Sequence, residues 1–161
     1  MIDQFDAVDF ALAAYRDQGE WTVQELTRHH LVDVETLGDA LRRLPGDHGA
    51  VGLVAMDEDF FILVRVSGPS TRVLLSDITA ADEWDLAASA VEYLGLLLPE
   101  DDDEQVPAGD LELLADLGMH ATDLGVLLDD FDLYPDEMLS DIARRLGFGE
   151  LFDDAVGLTS A

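Results

Sequence analysis

Two histidines, His29 and His30, stand side by side with Asp33 and Glu35 close behind, and imidazole with carboxylate is a common ligand set for divalent metals. On a strand adjacent side chains point apart, and no third ligand recurs at helical spacing, so the group reads as polar surface. His48 precedes a glycine in a loop, and His120 lies between two predicted helices; neither has a Ser or Cys nearby in a nucleophile motif. Gly-x-Ser-x-Gly does not occur, the glycines at 38, 46, 49 and 52 are scattered, and no Gly-Lys-Ser/Thr exists. A serine-hydrolase elbow and a phosphate-binding glycine loop are thereby excluded. The acidic run Glu100 to Glu104 lacks the alternating ligands and the glycine of an EF-hand loop and is expected to be solvated linker rather than a calcium site. No catalytic, metal or cofactor site is expected, and the chain reads as a non-enzyme.

One pair of residues stands apart. If Ser67 to Ser70 form a hairpin loop, Val66 faces Thr71 and Arg65 lies directly across from Arg72. Like charges facing each other on a sheet cost stability unless an anion sits between them. That anion is either an Asp or Glu from the linker or the C-terminal helices, or a carboxylate or phosphate supplied by a ligand or partner. Arg65 and Arg72 are therefore the candidate anion or partner contacts.

The elements that must position this pair lie in residues 50–76, where three apolar, β-branched-rich runs are separated by Asp57-Glu58-Asp59 and by Ser67 to Ser70. The pattern predicts a three-strand meander. Alternation puts Phe60, Ile62, Val64, Val66, Val73 and Leu75 on one face. Phe61, Leu63, Arg65, Arg72 and Leu74 fall on the other, joined by Val51, Leu53 and Ala55. Both faces are largely apolar, so both need cover.

Upstream, residues 9–16 and 20–26 flank Asp17-Gln18-Gly19 and suggest a hairpin, although Phe10, Ala13 and Ala14 also fit a helical spacing. Asp33 is a suitable N-cap for a helix carrying Val34, Leu37, Leu41 and Leu44 on one face, ended by Pro45-Gly46. After the meander, Thr79 is placed to cap a second helix with Trp84, Ala87, Ala88, Val91 and Leu94 on its apolar face. Past residue 109 every apolar run has helical period. Asp110 is placed to cap Leu111 to Gly118, Leu124, Leu127 and Leu128 follow, and Pro135 opens a helix with Met138, Leu139, Ile142, Ala143 and Leu146. A last short helix is expected over residues 149–156. Helices this short must pack on one another or on the uncovered sheet face. The expected fold is α+β: an antiparallel sheet of about five strands with two packed helices, followed by a small all-helical C-terminal part. The expected division is a sheet domain over residues 1–98, an acidic linker over 99–109 and a helical domain over 110–161.

Charge narrows the partners. The 161 residues carry 36 acidic and eight basic side chains, for a net charge of −28. All eight basic residues are arginine. No basic patch of useful size can be assembled, so direct contact with nucleic acid is disfavoured and a basic protein is the natural partner. Solubility alone is the competing explanation of the acidity. With no cysteine, disulfides, thiolate metal sites and cysteine nucleophiles are excluded. The acidic first ten residues do not read as a signal peptide and no segment reads as a membrane span, so a cytoplasmic chain is expected.

Taken in order, FFILVRVSG, LLSDITAADEWDLA, the acidic linker, GDLELLADLG and LYPDEMLSDIARRLGF resemble the actinobacterial tRNA adenosine deaminase-associated protein family. The resemblance covers almost the whole chain and is weakest over the first several residues. It implies a link to the deaminase that makes inosine at the tRNA wobble position, and it carries no catalytic residue across. The chain cannot be that zinc enzyme, which needs a His or Cys before a Glu and a Pro-Cys-x-x-Cys. Charge and resemblance together point to an accessory or regulatory protein that binds a partner, such as the deaminase, through an acidic surface. The alternative is a small-molecule or anion-binding regulator using Arg65 and Arg72, with a carboxylate-based enzyme behind both.

Overall fold

The computed structural model describes residues 8–44, 49–56, 60–82, 84–96, 106–130 and 133–156. Six strands, β1 (Val8–Asp17), β2 (Glu20–Glu25), β3 (Ala50–Met56), β4 (Phe60–Ser67), β5 (Ser70–Leu75) and β6 (Ala108–Gly109), form one antiparallel sheet in the order β2-β1-β3-β4-β5-β6. The α+β class is as the sequence indicates, and the sixth strand is a two-residue addition at the edge of β5.

The open choice over the first run resolves as strand. β1 pairs on one side with β2 and on the other with β3, which leaves its alanines at the middle of the sheet. Asp17 pairs with Glu20 across Gln18 and Gly19, whose φ values of 53° and 82° are the doubly positive pattern of a type I′ turn, the geometry that matches strand twist. The β4–β5 loop is tighter than expected, because Ser67 also pairs with Ser70 and leaves only Gly68-Pro69 to turn. Register is unchanged, since the extra pair lies inside the expected loop. Met56 faces Phe60 as alternation requires, while Asp57 to Asp59 lie outside the described residues.

Each sheet face has its own core. Helices α1 (Val34–Arg42) and α2 (Asp85–Tyr93) cover the face bearing Val54, Phe60, Ile62, Val64, Val73 and Leu75. Helices α3 (Ala121–Leu128), α4 (Pro135–Leu146) and α5 (Gly149–Val156) cover the face bearing Val51, Leu53, Phe61, Leu63 and Leu74. The C-terminal helices thus find their partner in the second sheet face, which answers both their shortness and its apolarity. Of the expected linker, residues 99–105 lie outside the described residues; Ala108 and Gly109 are bonded to β5.

Ahead of residue 97, helix starts differ from expectation in one place. Asp33 does cap α1, accepting from the Thr36 N–H at 2.7 Å, and the expected stop at Pro45-Gly46 lies outside the described residues. Thr79 caps no helix. Asp77, itself almost buried, accepts from both the N–H and the hydroxyl of Thr79, at 2.9 and 2.6 Å, and opens a 3-10 turn over Ile78–Asp82. The helix proper starts at Asp85, after an extended Trp84. Bonded to Asp77 in this way, Thr79 lies inside the 3-10 turn rather than ahead of a helix whose N–H groups its hydroxyl could cap.

Candidate functional site

Arg65 and Arg72 are direct cross-strand partners, as the two-residue period and the hairpin turn require. They share a face, but their environments diverge. The Arg65 side chain is 3% exposed and Arg72 48%. A guanidinium does not lose its proton, so a buried one must be met by an anion or destabilise the fold.

That anion is Asp116. Arg65 Nη1 and Nη2 donate to Asp116 Oδ1 and Oδ2 at 2.7 and 2.9 Å, a fork-to-fork pair, and Nη1 also donates to the Leu113 carbonyl at 3.1 Å. The hydrogen bonds from Arg65 hold the Asp116 carboxyl below the usual carboxylate range; partial burial pushes the other way, and the Arg65 and Arg72 charges reinforce the lowering. Arg72 has longer contacts. Its Nε lies 3.6 Å from Asp110 Oδ2, and its Nη1 donates to the Glu112 carbonyl at 3.4 Å.

The segment that supplies these groups is not the helix its apolar spacing suggests. Residues 111–114 form turns and Ala115–Leu117 a single 3-10 turn, closed by Gly118 at φ 115°. In an α-helix the carbonyl of Leu113 would accept from the N–H four residues on, at Leu117. Here Leu117 donates to Leu114 at 3.0 Å and Arg65 takes the Leu113 carbonyl. A charged donor on a buried carbonyl is worth more than the neutral bond it replaces, which tips a short segment out of the helix. The other end is pinned by β6. Gly109 sits at φ 122°, and a Cβ there would lie 2.2 Å from the Val73 carbonyl oxygen, so only glycine lets the chain approach β5 this closely. Asp110 then donates its N–H to Val73 at 3.0 Å and accepts from the Glu112 N–H at 2.9 Å, a side-chain turn that starts the reversal.

A recess of about 290 Å³ opens beside the pair, its polar lining Arg65, Ser67, Ser70, Arg72, Glu112 and Asp116. It offers one half-exposed guanidinium and two serines on the β4–β5 turn, against the carboxylates of Glu112 and Asp116. Such a balance suits a single carboxylate or hydroxyl group better than a multiply charged phosphate.

The other candidates are dispersed. His29 and His30 lie in a 3-10 turn over Arg28–Leu31, not on a strand, and the Thr27 N–H donates to His30 Nδ1 at 3.3 Å. Asp33 is spent as the α1 cap, and Glu35 is exposed. His120 is exposed and precedes α3. His48 and Glu100 to Glu104 lie outside the described residues. Among the described residues no three or more His, Asp or Glu side chains gather as a metal-holding group. What the sequence reading missed is Asp116: nothing marks it among 36 acids. The only hint was Gly109-Asp110 at one end and Gly118 at the other, turn punctuation around a run too short to be a secure helix.

The family model described as Rv3753c-like tRNA adenosine deaminase-associated protein matches residues 9–149. Protein Rv3753c of Mycobacterium tuberculosis is 39% identical over 144 residues, which cover 88% of this chain and 83% of that protein. No solved structure matches. The family match runs from β1 to the first residue of α5, so the meander, the facing arginines and the turn that answers them all fall within it, and the chain belongs to the Rv3753c-like tRNA adenosine deaminase-associated protein family.

Proposed function

We propose that this chain is a non-catalytic accessory protein of the cytoplasm that binds a basic protein through its acidic surface, and that its partner is a tRNA adenosine deaminase. The family description supports the partner's identity. The observation that carries the mode of binding is where the positive charge goes. Arg42, Arg65, Arg72, Arg144 and Arg145, five of the eight arginines, each lie within 4.0 Å of one of the chain's own carboxylates. Arg16 stacks over Trp21, 5.6 Å from the ring centroid. Six of the eight arginines are thus engaged within the chain, and the acids outnumber the arginines more than fourfold, a charge balance that a phosphate backbone disfavours. A protein that handles tRNA must present basic surface to it, and opposite potentials speed encounter and orient docking.

Calorimetry of the purified chain with the deaminase of the same organism, at low and at physiological ionic strength, tests the reading. A complex that weakens with salt, together with no band shift of tRNA by this chain alone, is expected. Absence of heat at either salt removes the partner, and tight binding of tRNA by the chain alone removes the electrostatic argument.

The half-exposed Arg72 and its recess favour a second reading, an anion-responsive regulator in which a small carboxylate binds between Arg72, Ser67 and Ser70. Titration with acetate and succinate separates the two: saturable heat that Arg72→Ala abolishes supports the regulator, and its absence leaves the protein-binding reading alone.

A further inference from the structure

The proposed association needs a place on the molecule, and acidity spread over a whole surface does not supply one. Between α3 and α4 lies a groove of about 530 Å³, in the size range of pockets that hold ligands or side chains. Its apolar lining is Val126, Leu127 and Leu133, and its rim carries Asp123, Asp130 and Glu137. Helix α3 turns Leu124, Leu127 and Leu128 into the core, yet leaves Val126 67% exposed, while Tyr134, next to Leu133 at the start of α4, is 58% exposed. Single exposed apolar residues are ordinary; one that lines an open groove, continuous with Leu127 and Leu133, is the pattern of a contact surface. At the other end Arg144 and Arg145 share one carboxylate, Asp141, at 3.5 and 3.0 Å, which leaves one positive charge there against Asp123, Asp130 and Glu137 on the rest of the lining. The rim therefore keeps a negative balance around an apolar floor.

We infer that the α3–α4 groove is the docking site for a basic amphipathic helix of a protein partner, whose apolar side chains enter between Val126 and Leu133 while its Lys or Arg side chains meet Asp123 and Glu137. Helix-in-groove recognition reads this combination, apolar anchors for affinity and flanking charge for orientation. The inference rests on the reading that the partner is a basic protein and names the surface that meets it.

The test uses the full chain, isotope-labelled, and two synthetic peptides of equal Leu and Lys content: one arranged to form an amphipathic helix, the other scrambled so that no apolar face forms. Amide shifts are expected to cluster on α3, Leu133 and the first turns of α4, with the scrambled peptide binding at least tenfold more weakly. Val126→Glu should weaken the amphipathic peptide at least tenfold, and Asp123→Asn severalfold; both positions are exposed, and melting curves check that each variant is folded. Equal binding of both peptides, shifts centred elsewhere, unchanged affinity of folded Val126→Glu, or no binding at low salt would each overturn the inference. Repeating the measurement with the deaminase separates the two levels. Peptide mapped to the groove without deaminase binding removes the named partner and keeps the groove. Deaminase bound equally by wild type and Val126→Glu removes the groove and keeps the partner.

Discussion

The guanidinium of Arg65, buried on β4, is held by two parallel hydrogen bonds of 2.7 and 2.9 Å to Asp116, whose side chain is 60% exposed. A charge inside the sheet is thus neutralised by one at the surface. The pair ties the second sheet face to the turn that leads into α3, and so joins the two halves of the chain chemically as well as by packing.

Asp116→Asn leaves Arg65 buried against a neutral amide. Breaking a buried pair costs about 3–5 kcal/mol, and because water reaches the aspartate side the loss here should fall near or below the lower end, roughly 2–3 kcal/mol. Urea unfolding measures it. Arg65→Met combined with Asp116→Asn should recover most of the loss, since no charge then remains buried; a double variant no better than Asp116→Asn would mean that the pair is not what the fold depends on there.

The same pair sets a pH dependence with a definite sign. Arg65 depresses the Asp116 carboxyl in the folded state below its unfolded value of about 3.9, so the folded state holds fewer protons there. Its contribution is complete above that value and is lost as pH falls through the folded one. The stability gap between wild type and Asp116→Asn should be constant from pH 7 to 5 and shrink below about pH 4. A gap that closes between pH 7 and 5 would contradict the assignment.

Gly109 and Gly118 flank the turn with similar φ values, 122° and 115°, but only at Gly109 would a Cβ collide with backbone. Gly118→Ala should cost about 1 kcal/mol for its backbone conformation alone. Gly109→Ala should cost more, about 2–3 kcal/mol, and detach β6 from β5. Hydrogen exchange at Asp110, whose N–H bonds Val73, reports the detachment directly. Equal effects of the two substitutions would show that the close approach does not matter.

Gln18 is the described non-glycine residue with positive φ, at the first position of a type I′ turn where asparagine is favoured. Gln18→Asn should stabilise the chain by roughly 0.5 kcal/mol, raising the melting temperature without affecting partner binding. A lowered melting temperature would refute the turn assignment.

Alternation alone was enough to read the meander, because a period of two sends each apolar run to a definite face and a short hairpin leaves little freedom of register. Arg65 facing Arg72 follows from that period and from the turn at Ser67 to Ser70, and Val51, Leu53 and Ala55 joining them on the second face follow from it and from the three-residue break at Asp57 to Asp59. The apolar faces of α1 and α4 were legible for the same local reason. Three matters needed the tertiary structure. The Ala-rich β1 suits helix or strand equally by local preference, and its pairing with β2 and β3 decides it. Residues 111–117 have a helical apolar spacing, yet arginine donors from β4 and β5 take carbonyls that a helix would need or share. Asp116 is one acid among 36, and its selection depends on distance in space rather than position in the chain. Periodicity is a property of neighbours along the backbone and survives in the bare sequence. The choice of which carboxylate answers a buried guanidinium is made by packing, where only an anion within hydrogen-bond reach offsets the cost of burying the charge.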